Sequence, residues 1–348
     1  MESPPKYKVE YYSTSIHEDD RDMSLNIRRN GKVFYIQISP SNFIDSPGMS
    51  ERYLEYLAVL RSGEEVLGDI YESDVFEWLV TPFEPYLVEL APPPQDRKHI
   101  QITLQQHLFP YFFIFELDIQ NEMLCPRRIF SKSPPYRPSF CLFDDEFLDD
   151  LEEWTHLYDP AGIILSFKDP EDALFKEPRR VVIDGGQAEC FYKPCHSTTE
   201  AIRELKSYKA IAAAGLCDDV DLCRVHGVVM DDQDFILGIL LTYVDCADCP
   251  LSARVLPQDP DDPPPEVRTK WIQQLDTTLS SLHKAGIVWG DAKSENVLID
   301  KSGNAWITDF GGGYTEGWVD RELAETIEGD VMGMAKIHTL LFPSDTVP

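Results

Sequence analysis

Trp289-Gly-Asp-Ala-Lys-Ser-Glu-Asn296, followed by Asp309-Phe-Gly311, is the stretch whose reading decides the fold. It supplies a carboxylate at Asp291, an ammonium at Lys293, an amide at Asn296 and a second carboxylate at Asp309. Moving a phosphoryl group from Mg-ATP to a hydroxyl uses such a set. One carboxylate orients the nucleophile and accepts its proton, a cation holds the γ-phosphate, and a carboxylate with an amide oxygen holds the metal. Val297-Leu298-Ile299 and Ala305-Trp306-Ile307 read as strands around the turn Asp300-Lys-Ser-Gly-Asn304, where Gly303 suits a positive φ. Asn296 thus enters a strand and Asp309 leaves one. A loop whose acids are merely solvated is the alternative, and the agreement of motif with context weighs against it.

The pattern resembles the protein-kinase superfamily. The catalytic loop H-R-D-x-K-x-x-N is matched with Trp289 and Gly290 in place of histidine and arginine, and Asp-Phe-Gly is intact. The longer phrases from Leu282 to Asn296 and from Asp309 to Asp320 are similar to a group of minimal, atypical kinase-like proteins common in filamentous fungi. The resemblance covers about residues 160–342. It implies an α+β bilobal kinase-like fold with a truncated C-lobe, preceded by a mixed α/β N-terminal domain. The expected division is a mobile tail at 1–22, an N-terminal domain at 23–150 and a kinase-like domain at 160–348. Within the last, the N-lobe is expected at about 160–244 and the C-lobe at about 245–348.

Ile163–Phe167 is a candidate first strand, and Arg180–Ile183 and Ala188–Lys193 read as strands around Asp184-Gly185-Gly186. The resemblance implies that Lys193, at the end of its apolar run, holds the α- and β-phosphates; an ordinary strand-end lysine is the alternative. Thr198–Ala214 is helical by the spacing of Ile202, Leu205, Tyr208, Ile211 and Ala212. Glu204 within it is implied as the ion-pair partner of Lys193, although Glu200 and Glu204 also read as solvated helix acids. Tyr208 would then sit above Phe310 behind the site. Val225–Met230 and Phe235–Tyr243 read as strands, and the resemblance implies that Leu241, Tyr243 and Val244 receive adenine. Glu266–Lys284 is an amphipathic helix with Trp271, Ile272, Leu275, Leu279 and Leu282 inward, ended by Gly286. Asp330 resembles the aspartate that braces the catalytic loop from a following helix.

Four departures qualify the resemblance. The stretch Lys168–Pro178, expected to cover the phosphates, has no glycine and carries Asp169, Glu171, Asp172 and Glu177; glycine there would let backbone N–H groups approach closely. Gly290 replaces the arginine that receives an activation phosphate, so phosphorylation is not expected to switch this chain on. Trp289 puts apolar bulk beneath the metal-binding segment. The segment after Asp309 is short, lacks Ala-Pro-Glu and is followed by few residues, which implies no preformed platform for a peptide.

Before residue 150 no chemical motif stands out. Met23–Arg29 and Lys32–Ser39 alternate around Asn30-Gly31, a hairpin signal. Glu51–Arg61 and Ser73–Val80 read as helices, and Ile100–Leu104 and Tyr111–Ile119 as strands. His99 and His107 lack ligand-spaced partners. With 31 basic against 61 acidic residues and a net charge of −30, nucleic acid and anionic membranes are excluded as principal partners. No apolar leader or spanning run is present, and the scattered cysteines suit a reducing, cytoplasmic or nuclear setting. Cys246-Ala-Asp-Cys249 has no second pair to complete a metal site and reads as incidental.

The expected activity is an atypical Mg-ATP-dependent phosphotransferase acting on Ser/Thr hydroxyls, since a lysine two residues after Asp291 is the Ser/Thr-kinase arrangement. Its cofactors would be ATP and Mg²⁺; its acid surface suits a basic protein substrate, although solubility is the plainer reading of that charge. A small-molecule phosphotransferase and a nucleotide-binding pseudokinase scaffold are the alternatives.

Overall fold

Asn30 and Gly31 take left-handed φ of 49° and 76°, the conformation a tight two-residue hairpin needs. A computed structural model describes residues 7–15, 17, 19–216, 220–246, 250–255 and 262–343. Cys249 of the Cys246–Cys249 spacing and much of the loop 257–265 lie outside the described residues.

The chain divides into two units, Met1–Pro138 with Ile163–Pro178, and Ser139–Gly162 with Arg179–Pro348. In the first unit, β1 (Lys8–Thr14), β2 (Met23–Arg29) and β3 (Lys32–Ile38) form an antiparallel meander. Helices α1 (Pro47–Ser62), α2 (Glu72–Val80) and α3 (Glu84–Leu90) follow. β4 (Phe112–Gln120) then pairs parallel with β3 and antiparallel with β5 (Met123–Ile129). Leu25, Ile27, Phe34 and Phe115 from the sheet and Tyr53, Leu57, Leu79 and Phe83 from the helical layer share one core.

Four expectations are corrected here. Residues 8–14 are not tail but strand β1, because Val9 and Tyr12 pack on that core. Ile100–Leu104 is not a strand: Thr103 caps a short helix, Leu104–Leu108, through a capping box with Gln106, with bonds of 3.1 and 3.0 Å. The division also differs from the expected 23–150 and 160–348. Residues 163–178 hydrogen-bond within the first unit, Leu104 N to Ile163 O at 2.8 Å and Gly31 N to Leu174 O at 3.0 Å. Of the expected first strand, only Ile164–Leu165 is strand.

The second unit begins with α4 (Asp145–Trp154), capped by Asp144, and β6 (Leu157–Tyr158). β7 (Arg180–Ile183) and β8 (Ala188–Pro194) form a hairpin, α5 (Thr198–Ala213) follows, and β9 (Val225–Met230) and β10 (Ile236–Thr242) form a second hairpin. Within the unit these strands lie in the order β7-β8-β10-β9-β6. α6 (Pro265–Lys284), the hairpin β11 (Val297–Ile299) and β12 (Ala305–Ile307), and α7 (Ile327–Leu341) complete it. Ala residues aside, one apolar core joins both halves: Leu151 of α4, Leu205 and Tyr208 of α5, Ile239 and Leu241 of β10, Leu275 of α6, and Trp289 and Phe310. Leu151, with Phe147 and Leu148 beside it, is why the segment 139–162 belongs with this unit.

Candidate active site

Strand β8 carries Lys193 opposite Ile239 of β10, and its side chain leaves the sheet toward α5. Ser197 caps α5 by accepting from Glu200 N, which sets the helix register that brings Glu204 inward. The Lys193 ammonium lies 2.8 Å from Glu204 Oε1 and 3.0 Å from Asp309 Oδ1. One cation is thus shared by a buried carboxylate and a half-exposed one. Burial pushes the Glu204 carboxyl above its ordinary value, and the pull of Lys193 only partly offsets this. Burial acts to lower Lys193, but Glu204 and Asp309 outweigh it and hold the ammonium above its ordinary value.

The sign of the resulting pH dependence follows from Glu204. An acid whose folded pKa is raised costs stability when ionised, and that cost is relieved as pH falls through the folded value. Protonation therefore favours the fold while it frees Lys193 from its partner. For a site that holds phosphates at Lys193, ligand affinity is expected to decline on the acid side, starting above the ordinary glutamate value of 4.5. A nucleotide titration beside thermal unfolding across pH 4–7 checks this, and in Glu204→Gln the acid limb should disappear.

Asp309 adopts a left-handed backbone, φ 62°, which turns its carboxylate back toward Lys193. The next residue, Phe310, is buried, its ring edge-on to Tyr208 with centroids 5.4 Å apart. That is the column behind the site which the sequence suggested. A cleft of about 290 Å³ opens here, lined by Lys193, Cys195, Glu200, Glu204, Asp309 and Gly311.

The loop from Trp289 to Asn296 is held from two sides. Trp289 is fully buried, and its indole donates to Thr308 O at 2.8 Å. Asp330 of α7, 1% exposed, accepts from Trp289 N, Gly290 N and His283 Nε2, each at 2.8 Å. One turn along α7, a Cβ on Gly333 would stand 2.2 Å from Ala292 O and 2.7 Å from Ala292 Cβ. Glycine is required there because backbone meets backbone. Gly333→Ala is expected to cost about 1–3 kcal/mol in urea unfolding, although alanine is intrinsically the better helix former by about 1 kcal/mol. Unchanged or increased stability would count against the contact.

Asp291 Oδ2 receives Lys293 Nζ at 2.6 Å and Asn296 Nδ2 at 3.0 Å, and Asn296 Nδ2 also donates to Asp291 O at 2.9 Å. Thr315 donates from Oγ1 to Asp291 Oδ1 at 3.0 Å and accepts from Lys293 Nζ at 3.0 Å. Asn296 and Asp309 are neighbours, because Thr308 N donates to Asn296 O at 3.1 Å. With its amide nitrogen spent on Asp291, Asn296 has its oxygen left for a cation. Among the described residues no group of three or more His, Cys, Asp or Glu could hold a metal by itself. A magnesium ion held by one or two side chains completes its shell with phosphate and water, and Asp309 with Asn296 fits that role.

Leu241 is buried on β10 and Val244 lies just beyond the strand, packed near Cys223, Leu298 and Trp306. Val244 O accepts from Cys246 N at 2.9 Å, and the Tyr243 ring lies 4.9 Å from the Arg180 guanidinium. The structure therefore brings Lys193, Glu204 and Asp309 together directly, and Asp291, Lys293 and Asn296 in a second network. Asp330 and Phe310 lie beneath these networks. Thr315, His283 and Gly333 were missed. Gly333 left a signal, a glycine inside an apolar helix, whereas Thr315 sits on irregular chain and left none.

Among known families, the protein kinase domain matches residues 193–318. Two curated relatives match over shorter stretches. The chain is 47% identical over 50 residues to a serine/threonine-protein kinase, PKH3, of Eremothecium gossypii. It is 48% identical over 48 residues to a serine/threonine-protein kinase, sck2, of Schizosaccharomyces pombe. Each match takes in 14% of this chain and 7% of the relative, so the chain spans a small fraction of the length of either. Among the described residues no helix is long and apolar enough to cross a membrane.

Proposed function

We propose that this chain, protein-kinase-like over residues 193–318, transfers a phosphoryl group from Mg-ATP to an alcohol hydroxyl, with Ser/Thr side chains the first class of acceptor. The observation that carries this reading is the shared cation: Lys193 bridges Glu204 and Asp309 while Asp291, Lys293 and Asn296 form a closed network on the adjoining loop. Lys193 would hold the α- and β-phosphates, with Glu204 fixing its position. Asp309 and the Asn296 oxygen would hold Mg²⁺, which when bound screens the phosphate charge and orients the γ-phosphate.

Asp291 Oδ1 is the oxygen available to a hydroxyl, since Oδ2 is taken by Lys293 and Asn296. Thr315 already places a hydroxyl 3.0 Å from it, a distance at which an acceptor's proton could be received. Lys293 would shift its ammonium from Thr315 toward the transferring phosphate. Leu241 would wall the adenine, with backbone groups at Tyr243 and Val244 as its polar partners. A basic protein acceptor suits the net charge of −30.

Incubation of the whole chain with Mg-[γ-³²P]ATP, basic Ser/Thr proteins and a small-alcohol panel tests this. The expected result is Mg²⁺-dependent label on Ser or Thr, and label on small alcohols alone would move the acceptor class. A nucleotide-binding scaffold is the second reading, favoured by the sequence of Lys168–Pro178, which lacks the glycines that the resemblance calls for in a phosphate-covering segment. That glycine-free, four-acid segment folds as a 3-10 turn at Pro170–Leu174, with Asp169 capping Glu171 N. Nucleotide binding tightened by Mg²⁺, with no transfer, would favour it.

A further inference from the structure

Arg203 precedes Glu204 on α5 and points to the segment after Asp309, where its guanidinium lies 2.6 Å from Glu325 Oε1. The same nitrogen reaches Gly311 O at 3.5 Å. Beneath this pair two glycines meet. A Cβ on Gly290, φ 89°, would stand 3.2 Å from Gly312 Cα. A Cβ on Gly312, φ 67°, would stand 3.0 Å from Arg203 Cδ and 3.1 Å from Glu325 Oε1. Catalytic loop, post-Asp309 chain and ion pair are therefore stacked with no side chain between the layers. Glu325 is itself held at a left-handed φ of 59°, immediately before Thr326, which caps α7 by accepting from Gly329 N at 3.0 Å.

We propose that the Arg203–Glu325 pair, seated on the Gly312–Gly290 contact, positions α5 so that Glu204 reaches Lys193, and that it does so without a phosphate on the intervening segment. A carboxylate built into the chain supplies the negative charge, and the helix that carries Glu204 supplies the cation. Gly290 is small because the chain crosses it. The pair ties α5 to the N-terminus of α7, whose Asp330 holds the catalytic loop, so one contact links the two halves of the site. Its partners are 41% and 43% exposed. An ion pair in that setting contributes little to global stability, so its effect is on placement and not on whether the unit folds. Arg203 and Glu325 are positioning residues and touch no reacting atom.

The activity arm of the test rests on the phosphotransfer reading, and the exchange arm does not. Arg203→Glu and Glu325→Arg, singly and combined, are compared with the whole chain by amide hydrogen exchange, thermal unfolding and label transfer. Each single reversal is expected to speed exchange in residues 198–213 and 311–325, to leave the unfolding temperature unchanged, and to lower kcat about two- to fivefold. The double reversal should recover exchange and kcat together. Phosphatase treatment of the unaltered chain should leave kcat unchanged. Wild-type exchange in both single variants, no recovery in the double, or loss of activity after phosphatase treatment would each overturn the proposal. An unaltered chain without label transfer would sink the phosphotransfer reading, and the exchange results would still decide the positioning role.

Discussion

On the proposed phosphotransfer reading, replacing Asp291 by asparagine is expected to lower transfer from Mg-ATP about 10²–10⁴-fold, the usual contribution of a positioned general base. Nucleotide affinity should change far less, because Lys193, Glu204 and Asp309 form a network that does not include Asp291, and Asn296 keeps its bond to the Asp291 backbone carbonyl. The substitution keeps the shape of the side chain but removes the charge that Lys193's counterpart on the loop, Lys293, meets at 2.6 Å. Label transfer and nucleotide titration on the same preparation give both numbers. Transfer at the wild-type rate would mean that Asp291 accepts no proton.

The second large effect belongs to Asp330. Asp330→Ala would remove the acceptor of three 2.8 Å hydrogen bonds at a site only 1% exposed. Two of the orphaned donors are backbone N–H groups of the catalytic loop, and each buried, unsatisfied group costs about 1–3 kcal/mol. The expected loss is about 3–5 kcal/mol in urea unfolding, with transfer lost in parallel. Asp330→Asn retains one acceptor oxygen and should fall between the two. A variant as stable as the unaltered chain would remove Asp330 from the account of how the loop is held.

Local chemistry made much of this legible from sequence. Asn30-Gly31 and Gly303 marked their turns through the left-handed backbone they supply. The helix read at Thr198–Ala214 is Thr198–Ala213, and that read at Glu266–Lys284 is Pro265–Lys284, because their apolar spacing persists over several turns. Lys193 and Glu204 lie close in sequence on adjoining elements, so their meeting needed little tertiary information. Strand β5 was hidden by Pro126, which an edge strand tolerates. Helix α4 was hidden by its acids, although Phe147, Leu148 and Leu151 have helical spacing. Thr315 with Asp291, and Arg203 with Glu325, join irregular chain to distant elements, and no local preference encodes such a meeting.

The contact of Ala292 O with Gly333 also bears on how this chain can vary. Main chain meets main chain there with only the methyl group of Ala292 beside it, so the junction has almost no spare volume to exchange. The connection around Glu316 and Gly317 is exposed, and doubling the length of a flexible loop costs only about 0.6 kcal/mol. Added residues at that bend are therefore cheaper than one methyl group at Gly333: the chain can change in length more readily than in thickness.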